Sequence, residues 1–193
     1  MPVTNDTYRG IRNYGWAFTN QHIIYLQDKN GDENWRIYSV NLSNKEVKDL
    51  SPFPGVQAQI EAVSYKFPHE IMVGLNKRDP EYHDIYRLNI DSGNLTLVLE
   101  NKEFAEFNID DDFRIRLASK TTSDGGTDIF KLLDERWENF LHIGKDDALT
   151  TSIVGMNKNN DVIYFADSRG RDTSALFALN LTTKEEKMIA EDP

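Results

Sequence analysis

The sequence predicts an all-β fold made of four similar units. A short phrase recurs four times, in which isoleucine or leucine precedes an aromatic residue and leucine or valine follows two positions later. Its aromatic residues follow one another at steps of 48, 44 and 47 residues, and they are Tyr38, Tyr86, Phe130 and Phe177. A repeat of this length with strand-like content indicates a β-propeller, in which each repeat forms one blade. We therefore expect a β-propeller segment of four four-stranded antiparallel blades.

The first unit shows the four strands of one blade most clearly. Apolar and polar residues alternate along each strand, as they do in half-buried strands, and the strands are expected at 14–18, 22–26, 35–42 and 46–50. The pair Asn30-Gly31 separates the second strand from the third, and both residue types tolerate the positive φ of a tight hairpin. Four strands joined by short hairpins form a meander, which is the topology of a propeller blade.

The other three units follow the same plan. Their second strands are expected to begin near Glu70, Phe113 and Asp161, and turn residues at 91–94, 124–126 and 168–170 mark hairpins. We expect one propeller segment over residues 1–193. Its blades are predicted at 11–53, 57–101, 104–145 and 150–191, after a remnant of a preceding blade at 1–5.

The third unit contains one ambiguous stretch, residues 134–141. An amphipathic helix is one interpretation, because Trp137, Phe140 and Leu141 would share one helical face. The repeat favours a turn followed by the outer strand of the blade, and this is our prediction.

The two ends of the sequence bear on how the blades close. The last unit has its own outer strand at 186–190, and the first residues look like the tail of another blade. This arrangement lacks the strand exchange that commonly closes a propeller. We therefore expect an open arc of a larger ring rather than a closed four-bladed ring, with apolar blade faces left uncovered.

Composition excludes several classes of function. The net charge is −10, and no cluster of lysine and arginine interrupts it, so nucleic acid is not an expected partner. There is no cysteine, which excludes disulfides, thiolate metal sites and cysteine nucleophiles. We find neither a long apolar run nor the features of a signal peptide. These observations predict a cytoplasmic protein without a membrane partner.

The residues that carry catalytic or metal chemistry elsewhere have a structural interpretation here. The four histidines, His22, His69, His83 and His142, recur near strand ends, and no pair has the spacing of metal ligands. The stretch 28–33 resembles a calcium loop but has its glycine at the fourth place instead of the sixth, so a hairpin is favoured. The acidic triplet 110–112 is expected to be a solvated loop. We predict no catalytic residue, no metal and no cofactor in this chain.

The loops between second and third strands are the candidate interaction surface. Equivalent loops of a radial array emerge on one face, and here they span 28–34, 76–82, 120–127 and 167–173. Their mixed charges suit a protein interface or the ends of a peptide, although ordinary solvated loops are the simpler interpretation. The candidate interaction residues are Asp32, Arg78, Asp79, Arg169, Arg171 and Asp172.

Several of these segments together resemble a known family. The runs 16–18, 24–34 and 37–42, with 50–53, 78–80, 85–89, 146–151 and 167–173, are similar to the propeller of prolyl oligopeptidase-family serine peptidases. The likeness is greatest to the acylaminoacyl-peptidase and dipeptidyl-aminopeptidase type, and it covers essentially the whole chain.

The resemblance implies a non-catalytic role. In that family an N-terminal propeller covers a C-terminal α/β-hydrolase domain and restricts substrates to peptides. These 193 residues contain no Gly-x-Ser-x-Gly nucleophile motif. We expect the substrate-gating propeller portion of such a peptidase, as a truncated or split-gene product, with a serine-hydrolase domain as partner in cis or in trans. The alternative is a stand-alone propeller module that binds a protein or peptide at its loop face.

Overall fold

The protein is built from four antiparallel sheets of four strands each. The structure, a computed structural model, describes residues 2–4 and 10–192, and it contains no helix within that part. Every sheet consists of four strands that are consecutive in the chain. The predicted fold class, four four-stranded antiparallel propeller blades, is confirmed.

The chain divides into two compact units, of which the first comprises residues 1–103 and 111–114. Short hairpins connect consecutive strands, so each sheet of this unit is a meander with the orders β1-β2-β3-β4 and β5-β6-β7-β8. The strands are β1 Asn13–Trp16, β2 His22–Gln27, β3 Arg36–Asn41, β4 Val47–Asp49, β5 Ala58–Val63, β6 Glu70–Asp79, β7 Tyr82–Asn89 and β8 Leu95–Leu99.

The core of the first unit lies between its two sheets. Alternate side chains of the central strands face inward, as the period-two pattern requires, and Ile24, Ile37, Val73 and Leu88 are all buried there. The backbone N–H of Ala58 donates to the carbonyl of Trp35 at 2.8 Å. This bond fixes the start of the second sheet against the third strand of the first.

The second unit comprises residues 104–110 and 115–193 and repeats the same plan. Its core contains Leu117 and Ile129 from one sheet and Ile163, Phe165 and Leu179 from the other. The strands are β9 Glu106–Ile109, β10 Ile115–Thr121, β11 Thr127–Leu133, β12 Arg136–Ile143, β13 Ser152–Met156, β14 Val162–Asp167, β15 Ala175–Asn180 and β16 Glu186–Ala190.

The ambiguous stretch 134–141 is a turn followed by a strand, as the repeat predicted. Asp134 and Glu135 both have positive φ, 45° and 63°, which is the geometry of a two-residue hairpin whose twist matches the flanking strands. Leu133 pairs with Arg136 across this hairpin, and the rest of the stretch belongs to β12. The helix interpretation is wrong because these residues complete the sheet.

One predicted loop, 76–82, is mostly strand. The second strand of this blade, β6, continues to Asp79, so Arg78 and Asp79 lie in a strand rather than in a loop. Asp79 pairs with Tyr82, and its carboxylate accepts the backbone N–H of Glu81 at 3.0 Å. These two interactions replace the seven-residue loop by a tight hairpin after an irregularity in the ladder.

The acidic triplet is also not the uniformly solvated loop that we predicted. Asp110 is only 4% exposed, and its carboxylate accepts a hydrogen bond from Arg116 Nε at 2.7 Å. Asp112 behaves as expected for a surface residue and pairs with Lys66 at 2.8 Å. A buried carboxylate must be paired or hydrogen-bonded, and the sequence pattern alone did not reveal the arginine that pairs with this one.

Two further expectations stay predictions. The proposed remnant at residues 1–5 falls partly on positions 1 and 5, which lie outside the described residues. The open arc concerns how the two units are arranged. Among the described residues, no helix has the length and apolar character that a membrane crossing requires.

Candidate functional site

The loop at 28–34 is shaped by its own aspartates. Asp28, which is buried, accepts the backbone N–H of Glu33 at 3.2 Å. The exposed Asp32 accepts the backbone N–H groups of Lys29 at 3.1 Å and Asn34 at 3.2 Å. The predicted interaction residue Asp32 therefore holds the turn, and it is exposed.

Arg78 binds a buried carboxylate of its own blade. Its Nε and Nη2 donate to the two oxygens of Asp84 at 3.0 and 2.8 Å, and Nη2 also donates to the carbonyl of Asn101 at 2.5 Å. Asp84 is 1% exposed and accepts a further bond from the backbone N–H of Asn101 at 2.8 Å. A bidentate pair of this kind satisfies the buried charge, which gives Arg78 a structural role.

The predicted loops of the first unit lie at the same end of their two sheets. Gln57 connects them, because its backbone N–H donates to the side chain of Asn76 at 2.7 Å and its Nε2 donates to the carbonyl of Glu33 at 3.4 Å. The prediction that these loops share one face holds within this unit. Asp32, on the loop of Glu33, and Arg78, two residues beyond Asn76, belong to that end.

Arg169 in the second unit repeats the role of Arg78. Its guanidinium donates to both oxygens of Asp167, at 2.7 to 3.0 Å, and to Glu186 at 2.9 Å. Burial by itself would raise the pKa of Asp167, but hydrogen bonds from Arg169 and Thr151 outweigh it and hold that pKa below its usual value. The same contacts raise the pKa of Arg169, mainly through the hydrogen bond to Asp167.

Beneath this pair lies a hydroxyl network that the sequence analysis missed. Ser168 Oγ donates to Asp147 Oδ1 at 2.7 Å and lies 2.6 Å from Thr150 Oγ1. Thr151 Oγ1 donates to Asp167 at 3.3 Å and accepts the backbone N–H of Ser168 at 3.1 Å. The network connects the start of β13 to the end of β14. Within the described chain Ser168 bonds to no histidine. In the sequence, the signal that could have indicated this network is the pair Thr150-Thr151 directly before the inner strand β13.

The remaining predicted residues of that loop are less buried. Arg171 pairs with Glu191 and donates to the carbonyl of Thr173 at 3.3 Å. Asp172 is exposed. The structure thus brings Arg169, Arg171 and Asp172 together on one loop of the second unit, where Asp172 presents its charge to solvent.

A buried aspartate lies in or directly after a strand of each of the four sheets. The exposed fractions are 4%, 1%, 4% and 4% for Asp28, Asp84, Asp110 and Asp167. Three of them are paired with an arginine of the same blade. Much of the mixed charge that we read as an interaction surface therefore serves to close the blades internally.

Among the described residues, three of the four histidines bond to another side chain, and His22 is the one whose partners include a hydroxyl group. The side-chain oxygen of Asn41 accepts the backbone N–H of Ser43 at 2.9 Å, which directs its Nδ2 to donate to His22 Nε2 at 3.2 Å. His22 Nδ1 must then carry the proton and donate to Thr19 Oγ1 at 3.0 Å. This histidine cannot take a proton from Thr19. Its Nε2 is 3.8 Å from Asp91, too long for the hydrogen bond of a catalytic triad.

His83 and the acidic groups do not form a metal site either. Burial lowers the pKa of His83, and its Nε2 has no hydrogen-bond partner among the described residues. Over the part of the chain that the structure describes, no three histidine, aspartate or glutamate side chains are grouped so that they could hold a metal ion.

Comparison with known proteins identifies the relatives of this chain. No protein-family model matches it. Dipeptidyl aminopeptidase BIII of Pseudoxanthomonas mexicana is 41% identical over 192 residues, which cover 98% of this chain and 28% of that protein. The chain is homologous to dipeptidyl aminopeptidases. A second homologue, dipeptidyl peptidase family member 6 of Caenorhabditis elegans, is 30% identical over 97% of this chain and 27% of its own length.

The homology is to one part of these peptidases, because the chain spans less than a third of either relative. A solved structure of acylaminoacyl peptidase, in complex with Z-Gly-Gly-Phe-chloromethyl ketone, superposes with a TM-score of 0.63 at 13% identity, over 95% of this chain and 33% of that one. At this identity the likeness shows the fold alone. The four-bladed dipeptidyl aminopeptidase homologue thus corresponds to the propeller portion of these enzymes, as its sequence predicted.

Proposed function

We propose that this chain is the non-catalytic, substrate-gating propeller portion of a serine peptidase of the dipeptidyl aminopeptidase type. The observation that carries the proposal is the 41% identity over 98% of the chain, confined to 28% of the relative's length. The described residues contain no assembled nucleophile, and the charged loop residues are largely committed to holding the blades. A serine-hydrolase domain is the partner that this role requires, and the cytoplasm is the expected compartment.

A domain exchange tests this role. The segment of Dipeptidyl aminopeptidase BIII that aligns with this chain is replaced by the chain itself, and release of dipeptides is compared for a short peptide and for a folded protein that carries the same terminal sequence. We expect the chimaera to cleave the peptide and to reject the folded protein. A chimaera that folds and accepts both substrates equally would overturn the gating role.

The isolated chain supplies the matching control. We expect no release of naphthylamine from dipeptidyl-naphthylamide substrates above the buffer rate. Hydrolysis that survives further purification and disappears on a substitution within the chain would show that the chain is itself an enzyme.

A further inference from the structure

The first unit carries an uncovered groove between two edge strands. β1 and β5 are both the terminal strands of their sheets, so one side of each has no strand partner. Two cavities of 330 and 230 Å³ lie along them, and Asn13 and Ile60 line both, which makes the groove continuous. Its two ends differ in chemistry, one cationic and the other aromatic.

The cationic end is formed by Arg12. Its guanidinium carbon lies 4.6 Å from the centre of the Trp35 ring, a cation–π contact that fixes the orientation of the side chain. No carboxylate pairs with Arg12 among the described residues, whereas Arg78, Arg116 and Arg169 each bind an aspartate. The protein has a net charge of −10, yet the charge of Arg12 contacts an aromatic ring and no carboxylate of the described residues. This charge is therefore available for an anionic ligand.

The walls at this end supply further hydrogen-bonding groups. Asn13 and Gln59 line the cavity, and their side-chain amides bond to no group in the part of the chain that the structure describes. Each amide offers one acceptor and two donors. The arginine and the two amides together match a carboxylate and the peptide group next to it.

The other end of the groove is apolar and exposed. Tyr14 and Trp16 lie two residues apart in β1, and therefore on one side of it, with 74% and 61% of their surface exposed. Val63 of β5 lines the same cavity and is 42% exposed. A group of large apolar side chains that is exposed in this way marks a surface to which a partner binds.

The edge strand β1 is also open to backbone pairing. Edge strands are usually protected by charges or proline, and the four residues of β1, Asn-Tyr-Gly-Trp, include neither. An added strand would obtain its affinity from backbone hydrogen bonds and its specificity from alternate side chains. From Arg12 to Trp16 an extended strand covers about 13 Å, which is the length of roughly four residues.

We propose that this groove binds the C-terminal end of an extended peptide, with the free α-carboxylate at Arg12 and apolar side chains against Tyr14 and Trp16. The site deepens the proposed function, because it names which end of a peptide the propeller would hold. It needs no hydrolase domain, so binding can be measured on the 193-residue chain alone. Failure of the domain exchange would leave this measurement unaffected.

Calorimetric titration with two forms of one peptide tests the proposal. The probe is acetyl-Ala-Leu-Ala-Phe, as the free acid and as the C-terminal amide. We expect the acid to bind at least about tenfold more tightly, since a charge-assisted hydrogen bond contributes on the order of 1.5–3 kcal/mol and 1.4 kcal/mol is tenfold. Arg12→Gln removes this preference by weakening the acid alone, and Trp16→Ser weakens both forms. Arg136→Gln, an exposed arginine without a partner in the described chain, leaves both unchanged.

Three results would overturn the proposal. One is equal affinity of the unsubstituted protein for acid and amide, and another is unchanged acid binding by an Arg12→Gln protein whose circular dichroism is native. The third is absence of binding at millimolar peptide. Sedimentation analysis tests whether a second copy of this chain occupies the groove instead. If the protein is a dimer that the Trp16→Ser substitution dissociates and added peptide does not dissociate, the groove binds a second copy of this chain.

Discussion

The pair formed by Asp167 and Arg169 leads to a prediction that depends on which partner is removed. The side chain of Asp167 is 5% exposed and that of Arg169 is 27% exposed. Arg169→Met leaves the carboxylate buried without its counter-ion, whereas Asp167→Asn leaves a cation that already reaches water. Removing one partner of a buried pair costs about 3–5 kcal/mol when the other stays buried and charged.

The expected magnitudes follow from the remaining contacts. In Arg169→Met the carboxylate keeps the hydroxyl of Thr151 and the backbone N–H of residue 169, so we expect a loss near the lower limit, about 3 kcal/mol. Asp167→Asn retains a polar group in the same place and should cost about 1–2 kcal/mol. The exposed Arg136→Met is the control, with an expected change within about 0.5 kcal/mol.

Urea unfolding at neutral pH, followed by circular dichroism, measures these differences. Repeating it at lower pH tests the cause. Because the pKa of folded Asp167 is lowered, the unfolded chain takes up this proton first, so the stabilisation is complete above about pH 4 and is lost as the pH falls through the folded value. The gap between wild type and Arg169→Met should narrow as the pH falls. An equal or larger loss for Asp167→Asn, or a gap that does not change with pH, would refute the reasoning.

Two other positions carry predictions of their own. A methyl group on Gly74 would lie 2.5 Å from Glu61 Oε1 and 3.1 Å from the Cβ of His83, so Gly74→Ala should lower the unfolding free energy by about 1 kcal/mol. Gly15→Ala, where the space is open, should leave it unchanged or raise it, and the opposite order in thermal unfolding would contradict this explanation. Burial lowers the pKa of His83, despite the opposing charge of Asp84, so the unfolded chain binds this proton first below about pH 6.5. His83→Gln should therefore reduce the loss of stability between pH 6.5 and 5, and an unchanged slope in the same urea titrations would count against it.

The strands could be read from the sequence because each blade is local. The alternation around Tyr38 or Tyr86 and the turn residues after it lie within one repeat, so pattern and position agree. The burial of Asp110 could not be predicted from the sequence, because it depends on an ion pair with Arg116 across a hairpin. For the same reason we predicted Arg78 in a loop: polar residues after an apolar run are typical of a turn, and the pattern does not indicate that Arg78 binds Asp84 of the neighbouring strand.

The groove could not be predicted from the sequence, for a different reason. β1 and β5 are separated by three strands, and nothing in either segment indicates that the two edges would lie side by side. Trp16 belongs to a strand that was predicted correctly, but its exposure depends on what the neighbouring blade leaves uncovered. Patterns within one repeat predict elements, while surfaces formed between repeats require the structure.

The meander order of the sheets has a consequence for the way the chain acquires its structure. Each of the described strands pairs only with its immediate neighbours in sequence, so the sheet hydrogen bonding among them is of low contact order. During synthesis no strand has to wait for a partner from a distant part of the polypeptide. We expect each blade to complete its own ladder soon after its fourth strand leaves the ribosome, and the sheets to form in the order in which they are translated.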